Sequence, residues 1–516
     1  MHLSGLEYRE SLRACRPTVF VNGRRVESVA DEPLLAPGIA GVALTYDFAR
    51  REELAPWMRA TVDGATVNRM IAVPRDAGAS LDKLEAVRLV CRETGCAQRY
   101  LGGDGLAAVY QATHRLDEEL GGDYHPRLLE YLRHVYARDL TLGLAMTDAK
   151  GDRSLRPHAQ PNRDAYLHIV GRDAAGIRIS GVKAIVTGAP YAHELLVMPG
   201  RAMTDADRDF AVCCALPVDA PGLTIVARPA GRPGESAAKF SAKYGQSTGV
   251  CLFDNVFVPW ERVFLAGEWT HSEHFTSGYA THHRHTCIGA RAGFGDLLIG
   301  AGALMIEANG LDPERAPALR ESMVELIKIV EGFYACGVAA SVYAEVDGSG
   351  IALPEPVFAN IGKLLLATQI YDMHRLAHEV SGGLVVALPG PDEDHNPATA
   401  GRISEVLSAH SEIPYARRIE VARLIEDLTA SYQGGWYSVI SLHGGGSPEA
   451  MKREIYRRYP IEERVALVER LLDRGAHFSG DPRWFGRQPG RCCLAGCRGS
   501  ELAGPPANNA ATDGSS

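Results

Sequence analysis

The hydrophobic pattern of this 516-residue chain changes its period twice, from helical to strand-like and back again. Up to about residue 140, apolar residues recur every three or four positions, as they do between Leu128 and Val135. Between about 160 and 260, short segments such as Gly176 to Lys183 alternate apolar and polar residues, and turn residues separate them. After about 275 the helical repeat returns. Successive blocks of helix, strand and helix predict an α+β fold with three parts.

Local signals place several elements within these blocks. Ser4 is a candidate N-cap for a helix over Leu6 to Arg13, and Asn22-Gly23 is a candidate hairpin turn within Val19 to Val26. Three sets of residues in the last block have helical spacing and predict the buried faces of packed helices: Met323, Leu326, Ile327, Val330, Phe333 and Tyr334; Phe358, Ile361, Leu365 and Thr368; and Ile419, Leu424, Ile425 and Leu428.

Composition and charge exclude several classes of protein. Lys and Arg total 54 against 63 for Asp and Glu, so the net charge of -9 argues against a broad nucleic-acid surface and is compatible with a local basic pocket for an anionic ligand. We find no run of about 20 apolar residues and no signal peptide, and therefore expect a cytoplasmic protein without a membrane span. Eleven cysteines at irregular spacing predict free, buried thiols, including the strand pair Cys213-Cys214.

Two groups of metal-binding residue types stand out. One lies within 17 residues: His271, His274, His282, His283, His285 and Cys287. Residues four apart share a helix face, so a metal site is one interpretation; a histidine-rich active-site helix or a solvated face is the other, and it is the one that we favour. The second group, Cys492, Cys493 and Cys497, lies in a segment rich in Pro, Gly, Ala, Asn and Ser, which predicts a disordered tail without metal.

A polar segment, AMTDAKGDRSLRP, lies at the boundary between the first helical block and the strands, from Ala145 to Pro157. It places hydroxyl, carboxylate and cationic groups around one glycine and has no apolar stripe, so its composition alone predicts a surface loop. The chain has no G-x-G-x-x-G after a strand and no G-x-x-x-x-G-K-[ST]. A Rossmann or P-loop mode of nucleotide binding is therefore not supported.

AMTDAKGDR resembles the flavin-contacting segment of the 4-hydroxybutyryl-CoA dehydratase family, within the wider 4-hydroxyphenylacetate 3-hydroxylase superfamily. Further similar stretches are GLEYRESLR near the start, LEYLRHVYARDL at 129–140, LFDNVFVPWERVFL at 252–265, GFGDLLIGAGAL at 293–304, SGGLVVALP at 381–389 and LHGGGSPEA at 442–450. The resemblance implies an acyl-CoA dehydrogenase-like fold: an N-terminal helical domain at 1–142, a middle β-barrel domain at 143–275, a C-terminal helical bundle at 276–480 and a disordered tail at 481–516.

The same resemblance implies an FAD site. It assigns the cofactor to Met146, Thr147, Asp148, Asp152, Arg153 and Thr187. A flavin's pyrimidine edge needs paired donors and acceptors, and a cation at Lys150 or Arg153 could neutralise the pyrophosphate. In the family, helices of a neighbouring subunit close over the flavin, so the resemblance also implies a homotetramer or homodimer.

The dehydratases of this family hold a [4Fe-4S] cluster with three cysteines and one histidine. The first cysteine matches Cys96 and the histidine matches His283, whereas the other two positions carry Tyr100 and Ala290. Two ligands are too few for a cluster that normally takes four. We therefore expect no iron–sulfur cluster, and no other metal.

Other active-site positions of the family also differ in this chain. The dehydratase's catalytic tyrosine falls on Cys287, and its two active-site glutamates fall on Thr248 and Ile440. The phenol-hydroxylating branch uses reduced FAD delivered by a separate reductase. Its substrate-binding arginine corresponds to Arg99, but its catalytic histidine falls on Leu144.

We interpret the chain as a two-component, reduced-flavin-dependent monooxygenase. Its expected partners are a small or carrier-bound organic substrate and a separate flavin reductase, with neither nucleic acid nor membrane. One alternative is an acyl-CoA dehydratase or isomerase that works without the cluster. Another is a non-catalytic flavin-binding relative.

The catalytic candidates are Arg99, Tyr100, His283 and Cys287, as parts of a remodelled pocket. For His283 we expect a role as an acid, a base or a hydrogen-bond donor beside the flavin. Nearby cations, Arg284 and a protonated His285, predict a neutral imidazole that accepts a proton.

Overall fold

The computed structural model describes residues 2–96, 98–409 and 412–472. The predicted tail and Cys492, Cys493 and Cys497 lie outside these residues. Helices form most of the N-terminal part: α1 Gly5–Ala14, α2 Ala36–Arg50, α3 Ala55–Met58, α4 Ala77–Thr94, α5 Tyr100–Leu120 and α6 Tyr124–Ala137. The Ser4 hydroxyl accepts the N–H of Glu7 and the Glu7 side chain accepts the N–H of Ser4, which confirms the predicted N-cap.

Two short hairpins interrupt these helices: β1 Thr18–Val21 with β2 Arg24–Arg25, and β3 Arg59–Val62 with β4 Ala65–Asn68. The first hairpin turns at Asn22 and Gly23, both with positive φ, and confirms the prediction from the Asn-Gly pair.

The strands of the middle part form two sheets: β5 Leu142–Ala145, β6 His168–Arg172, β7 Gly176–Thr187, β8 Glu194–Val197, β9 Val212–Pro217, β10 Leu223–Ala227, β11 Thr248–Pro259 and β12 Val263–Ala266. One sheet has the order β2-β1-β10-β11-β7-β6 and the other has the order β12-β9-β8-β5. One hydrophobic cluster draws buried residues from both sheets and from α1 and α2.

The predicted β-barrel is thus not found as a closed barrel among the described residues, which form two open sheets instead. The reason is that β1, from the N-terminal part, pairs in parallel with β10 and extends the six-stranded sheet. The mixed α and β character is as predicted, whereas the domain boundaries stay a prediction. Cys213 and Cys214 are both buried, and burial raises the pKa of both thiols.

Helices return after the sheets, with one small strand pair between them: α7 Ser272–Ala308, α8 Pro317–Val342, β13 Glu345–Val346, β14 Ala352–Leu353, α9 Pro356–Ser381, α10 Ala400–Val406, α11 Tyr415–Thr429, α12 Tyr432–His443, α13 Pro448–Arg458 and α14 Ile461–Leu471. The long helix α7 packs against α4, α5, α8 and α9 and is the central element of this part. The segment Trp269–Ala308 is long and apolar enough to cross a membrane, but 67% of its most apolar window is buried inside the fold.

The predicted helix faces are largely correct in α11, where Leu424 is half-buried, and in α8, where Met323 is half-buried and Ile327 is exposed. In α9 the predicted face is wrong, because Phe358, Ile361 and Leu365 are only half-buried. The buried side instead carries Leu366, Ile370, Met373 and Val380, together with small and polar residues such as Asn360 and Lys363. The helix therefore has two apolar stripes, and the prediction selected the less buried one.

Candidate active site

Two facing helices carry functional side chains at four-residue spacing, which places each set on one helix face. Helix α5 carries Tyr100 and Asp104 in its first turns, and α7 carries His283 and Cys287. The rings of Tyr100 and His283 stack with their centroids 6.3 Å apart. All four side chains are buried. The fold therefore brings three of the four predicted catalytic residues together.

His283 lies between a thiol and a carboxylate. Its Nε2 is 3.4 Å from Cys287 Sγ, and its Nδ1 is 3.4 Å from Asp104 Oδ2. Asp104 also accepts the Thr286 hydroxyl at 2.6 Å and pairs with the Lys83 ammonium at 3.1 Å. The array holds the imidazole ring by both nitrogens, as sites that move protons require.

The charges around His283 differ from those that the sequence predicted. Burial alone would lower the pKa of His283, but the facing Cys287 thiol and the Asp104 carboxylate outweigh burial and raise it. Burial alone would raise the pKa of Cys287, but the neighbouring His283 outweighs burial and lowers it. The expected neutral imidazole is therefore wrong: the pair favours imidazolium and thiolate. His285 does not contribute a charge, because burial lowers its pKa to about 4.

Arg99, the fourth predicted catalytic residue, lies elsewhere. Its guanidinium stacks 3.7 Å from the centroid of the Tyr46 ring and forms a fully buried ion pair with Asp139. It thereby links the start of α5 to α2 and to the segment after α6. Arg99 Nε and Nη1 are buried without a hydrogen-bond partner among the described residues, and a catalytic role for Arg99 stays a prediction.

In the predicted flavin segment, Asp148 is engaged within the fold. Its carboxylate is 2.7 Å from the Lys183 ammonium and accepts the N–H of Leu167. Lys183 in turn donates to the carbonyls of Met146 and Met198, each at 2.9 Å. This buried pair fixes the loop after β5 against β7 through Asp148 Oδ1, so Asp148 shapes the loop, and its contact with FAD stays a prediction.

The other predicted flavin residues are more accessible. Asp152 and Arg153 are exposed, and Met146 and Thr147 are half-buried. The Asp152 carboxylate accepts the N–H and the hydroxyl of Ser154, which makes a local turn. Charged groups at this loop are therefore in a position to meet an anionic ligand from solvent.

Thr187 lies beside a set of unsatisfied acceptors. It pairs with Thr248 across β7 and β11, and the next residue, Gly188, has φ +77° and carries the backbone close to Gln98. Thr248 Oγ1 and the amide oxygens of Gln98 and Gln246 are buried without a hydrogen-bond partner among the described residues. A flavin ring edge offers an N–H group that an amide oxygen can accept, and a carbonyl that can accept the Thr248 hydroxyl. The residues present therefore fit the edge of an FAD ring.

Comparison with known proteins identifies the family of this chain. The model of the 4-hydroxyphenylacetate 3-hydroxylase N-terminal part matches residues 4–265, and that of the C-terminal part matches residues 272–473. The chain belongs to the 4-hydroxyphenylacetate 3-hydroxylase family. This confirms the superfamily expected from the resemblance.

Individual relatives in this family span nearly the whole chain. The 4-hydroxybutyryl-CoA dehydratase/vinylacetyl-CoA-Δ-isomerase of Clostridium aminobutyricum is 32% identical over 491 residues, 91% of this chain and 99% of that protein. An oxygen-tolerant archaeal 4-hydroxybutyryl-CoA dehydratase from N. maritimus has a TM-score of 0.89 at 31% identity, covering 94% of this chain and 99% of that one. The oxygenase component of 4-hydroxyphenylacetate 3-monooxygenase, solved with FAD, has a TM-score of 0.81 at 22% identity, covering 91% and 99%.

At the positions expected to ligate the iron–sulfur cluster of the dehydratases, side chains of this 4-hydroxyphenylacetate 3-hydroxylase family member pack against one another. Cys96 Sγ accepts the Gln246 side-chain amide at 2.8 Å and contacts the Tyr100 hydroxyl and Arg291 Nη1, each at 3.7 Å. A hydrogen bond from Cys91 contributes most to a lowered pKa of Cys96, about 6. These donors satisfy the sulfur, and the Tyr100 phenol takes the place of a second thiolate. The residues do not fit a [4Fe-4S] cluster.

The histidine-rich part of α7 does not converge on one point. His282 Nε2 is 2.9 Å from the Gln111 amide oxygen, whereas His285 Nε2 is 2.7 Å from the Ser341 hydroxyl on α8. Burial lowers the pKa of His282 to about 3. Successive helix positions point in different directions, so these rings pack separately and are buried, which excludes the predicted solvated face for them.

Sequence reasoning missed several residues of this site. Asp104 and Lys83 have no pattern that separates them from surface charges, and Gln98 lies unmarked between two predicted site residues. The glycines of YLGGDG were the available signal: at Gly103 a Cβ would meet the Met70 carbonyl at 2.3 Å. A helix that needs glycine on both sides of an aspartate is pressed against its neighbours, and the aspartate is then buried.

Proposed function

We propose that this protein is a two-component, reduced-flavin-dependent monooxygenase that acts on a small or carrier-bound organic substrate without an iron–sulfur cluster. The observation that carries the proposal is the packing around Cys96, where Gln246, Tyr100 and Arg291 surround the sulfur. Without the Lewis acid of the dehydratases, the chemistry open to this family's fold is that of the flavin.

FAD would be held by the loop at Met146 to Arg153 and by Thr187, with the unsatisfied acceptors of Gln98 and Gln246 at the ring. Bound reduced FAD supplies the activation of oxygen. The chain's own part is to place the substrate, exclude water and move protons. His283, whose ring stacks on that of Tyr100, serves as the proton donor, with Cys287 as its counter-charge and Asp104 as the group that orients it.

Three further features belong to the proposal. A separate flavin reductase supplies reduced FAD, the protein works in the cytoplasm, and it assembles as a homotetramer or homodimer around the flavin. The layout is acyl-CoA dehydrogenase-like, with domains near the predicted boundaries at residues 142, 275 and 480.

A second candidate is an acyl-CoA isomerase or dehydratase that uses the His283–Cys287 pair to move a proton. The specific observation in its favour is the 32% identity with a 4-hydroxybutyryl-CoA dehydratase/vinylacetyl-CoA-Δ-isomerase over nearly the whole length of both proteins. A thiolate beside an imidazolium is a competent acid–base pair for a carbon acid.

Oxygen consumption distinguishes the two candidates. With FAD, NADH and a separately purified flavin reductase, we expect substrate-dependent oxygen uptake and ¹⁸O from ¹⁸O₂ in the product, tested on phenols, aryl acids and their CoA thioesters. Catalase in a parallel assay corrects for uncoupled peroxide formation.

Deuterium incorporation into crotonyl-CoA in D₂O, without ¹⁸O in any product, would overturn the monooxygenase and support the isomerase. Iron and acid-labile sulfide on anaerobically purified protein check the cluster. About four irons per chain, the content of a [4Fe-4S] cluster, would contradict the packing argument.

Thr187→Ala is expected to weaken FAD binding by about 1 to 3 kcal/mol, because a buried acceptor or donor at the ring loses its partner. Fluorescence titration of apoprotein with FAD measures the change. Thr368→Ala, an exposed threonine on α9, is the matched control. Unchanged affinity in Thr187→Ala would place the flavin elsewhere.

A further inference from the structure

The buried cations of this protein fall into two groups. Most have a carboxylate partner within an ion-pair distance: Arg69–Asp82, Lys83–Asp104, Arg88–Asp296, Arg99–Asp139 and Lys183–Asp148. Arg284, Arg291 and Lys363 are equally buried, yet none of them has such a partner among the described residues. Arg423, the other buried cation without one, lies apart at the Pro389 carbonyl.

The partners of Lys363 and Arg284 are neutral oxygens. Lys363 Nζ donates to the Ser441 carbonyl at 2.7 Å. Arg284 donates to the Gly445 carbonyl at 2.9 Å and to the Asn360 amide oxygen at 2.7 Å. These contacts satisfy hydrogen bonds, but they leave two positive charges without a counter-charge.

Neighbouring anions supply that counter-charge only in part. Glu454 and Cys287 raise the pKa of Arg284, and Cys287 raises that of Lys363, but neither anion contacts the two cations in an ion pair or a hydrogen bond among the described residues. The Glu454 carboxylate is itself paired with Arg457 and Arg458. The third cation, Arg291, has the Cys96 sulfur at 3.7 Å. A buried charge without a partner is strongly destabilising, so an arrangement that keeps two of them has a functional reason.

The two cations meet at a glycine beside the catalytic array. Gly445 has φ +78°, and a Cβ built on it would lie 3.4 Å from His283 Cδ2, 3.4 Å from Arg284 Cγ and 3.8 Å from Lys363 Cε. The glycine thus lies where the imidazole and the two cations come together, and a side chain there would be in contact with all three. Gly446, with φ +105°, continues the same glycine loop past the Arg284 guanidinium.

The electrostatics agree with a missing anion. Burial lowers the pKa of Lys363 to about 7 and the pKa of Arg284 to about 10. A bound anion would offset this burial and favour the charged forms, since opposite charges at short range stabilise each other.

We propose that Lys363 and Arg284, with Gly445 between them, form the binding site for a carboxylate group of the substrate, next to His283. The inference rests on the proposed function in that it places the substrate of the same site. It narrows the substrate class to organic acids, whose charged end contacts α9 and whose reacting end lies towards Tyr100.

The test compares acids with their uncharged amides. Full-length protein loaded with oxidised FAD is titrated calorimetrically with 4-hydroxyphenylacetate and its amide, and with crotonate and its amide. We expect at least one acid to bind about 10- to 100-fold more tightly than its amide, the range for a charge-assisted contact. Lys363→Met should remove that preference while the affinity for the amide is unchanged, and Lys363→Arg should retain it.

Lys328→Met is the matched control, because Lys328 lies on α8 with its side chain 64% exposed. A variant that fails to fold loses both ligands, whereas loss of charge recognition removes only the preference, so the two are distinguishable. Equal affinity for acid and amide in both pairs, or no binding of either, would overturn the site. No reductant is present, so the result is independent of monooxygenase turnover.

Discussion

His283→Gln is expected to lower turnover by about 10²- to 10⁴-fold, the usual contribution of a positioned acid or base. Glutamine keeps a hydrogen-bonding side chain but cannot carry the proton that Cys287 and Asp104 stabilise on the imidazole. FAD affinity should stay unchanged, because the unsatisfied acceptors assigned to the flavin lie at Gln98, Gln246 and Thr248. Steady-state turnover with the product assay described above measures the effect.

The neighbouring His282→Gln is the matched control. His282 lies on the same helix and is equally buried, but it contacts Gln111 and is held neutral, so its loss should change turnover little. A loss of less than about threefold in His283→Gln, well under the usual acid–base contribution, would return His283 to a packing role.

Asp148→Ala is expected to lower the free energy of unfolding by about 3 to 5 kcal/mol, because it leaves the Lys183 ammonium buried without its counter-ion. This loss of stability is larger than the loss of binding free energy expected from one FAD contact, and it occurs in the absence of FAD. Urea unfolding of the apoprotein, followed by circular dichroism, measures it.

Two further variants test whether the unpaired Lys183 charge causes the loss of stability. In Asp148→Ala with Lys183→Met the unpaired charge is gone, so most of the stability should return. Asp152→Ala, at an exposed carboxylate of the same loop, should leave unfolding unchanged. A similar loss of stability in the double variant would show that the pair is not the cause.

Local signals in the sequence determined much of the fold. The Ser4 cap, the Asn22-Gly23 turn and the two changes of hydrophobic period depend on neighbouring residues, and each is found where the sequence placed it. Family membership could also be predicted, because long unusual stretches such as LFDNVFVPWERVFL resemble those of the family, and a family model matches residues 4–265.

Contacts between distant segments were decided only by the tertiary structure. Pairing of β1 with β10 joins residues some 200 positions apart and replaces the expected closed barrel with open sheets. The sequence predicts a catalytic Arg99, and in the fold its guanidinium forms an ion pair with Asp139 from another segment. Neither the β1–β10 pairing nor the Arg99–Asp139 ion pair can be predicted from local spacing.

The charges of the site were likewise decided in three dimensions. From the sequence, His283 has cations as neighbours and should be neutral; in the fold, Cys287 and Asp104 face it and favour the imidazolium. Lys363 lies outside the buried face that hydrophobic spacing predicted for α9, yet in the fold it is buried beside Gly445. The sequence determined which groups are present, but a pKa depends on burial and on the charges within a few ångströms, and only the packing of α5, α7 and α9 determines these.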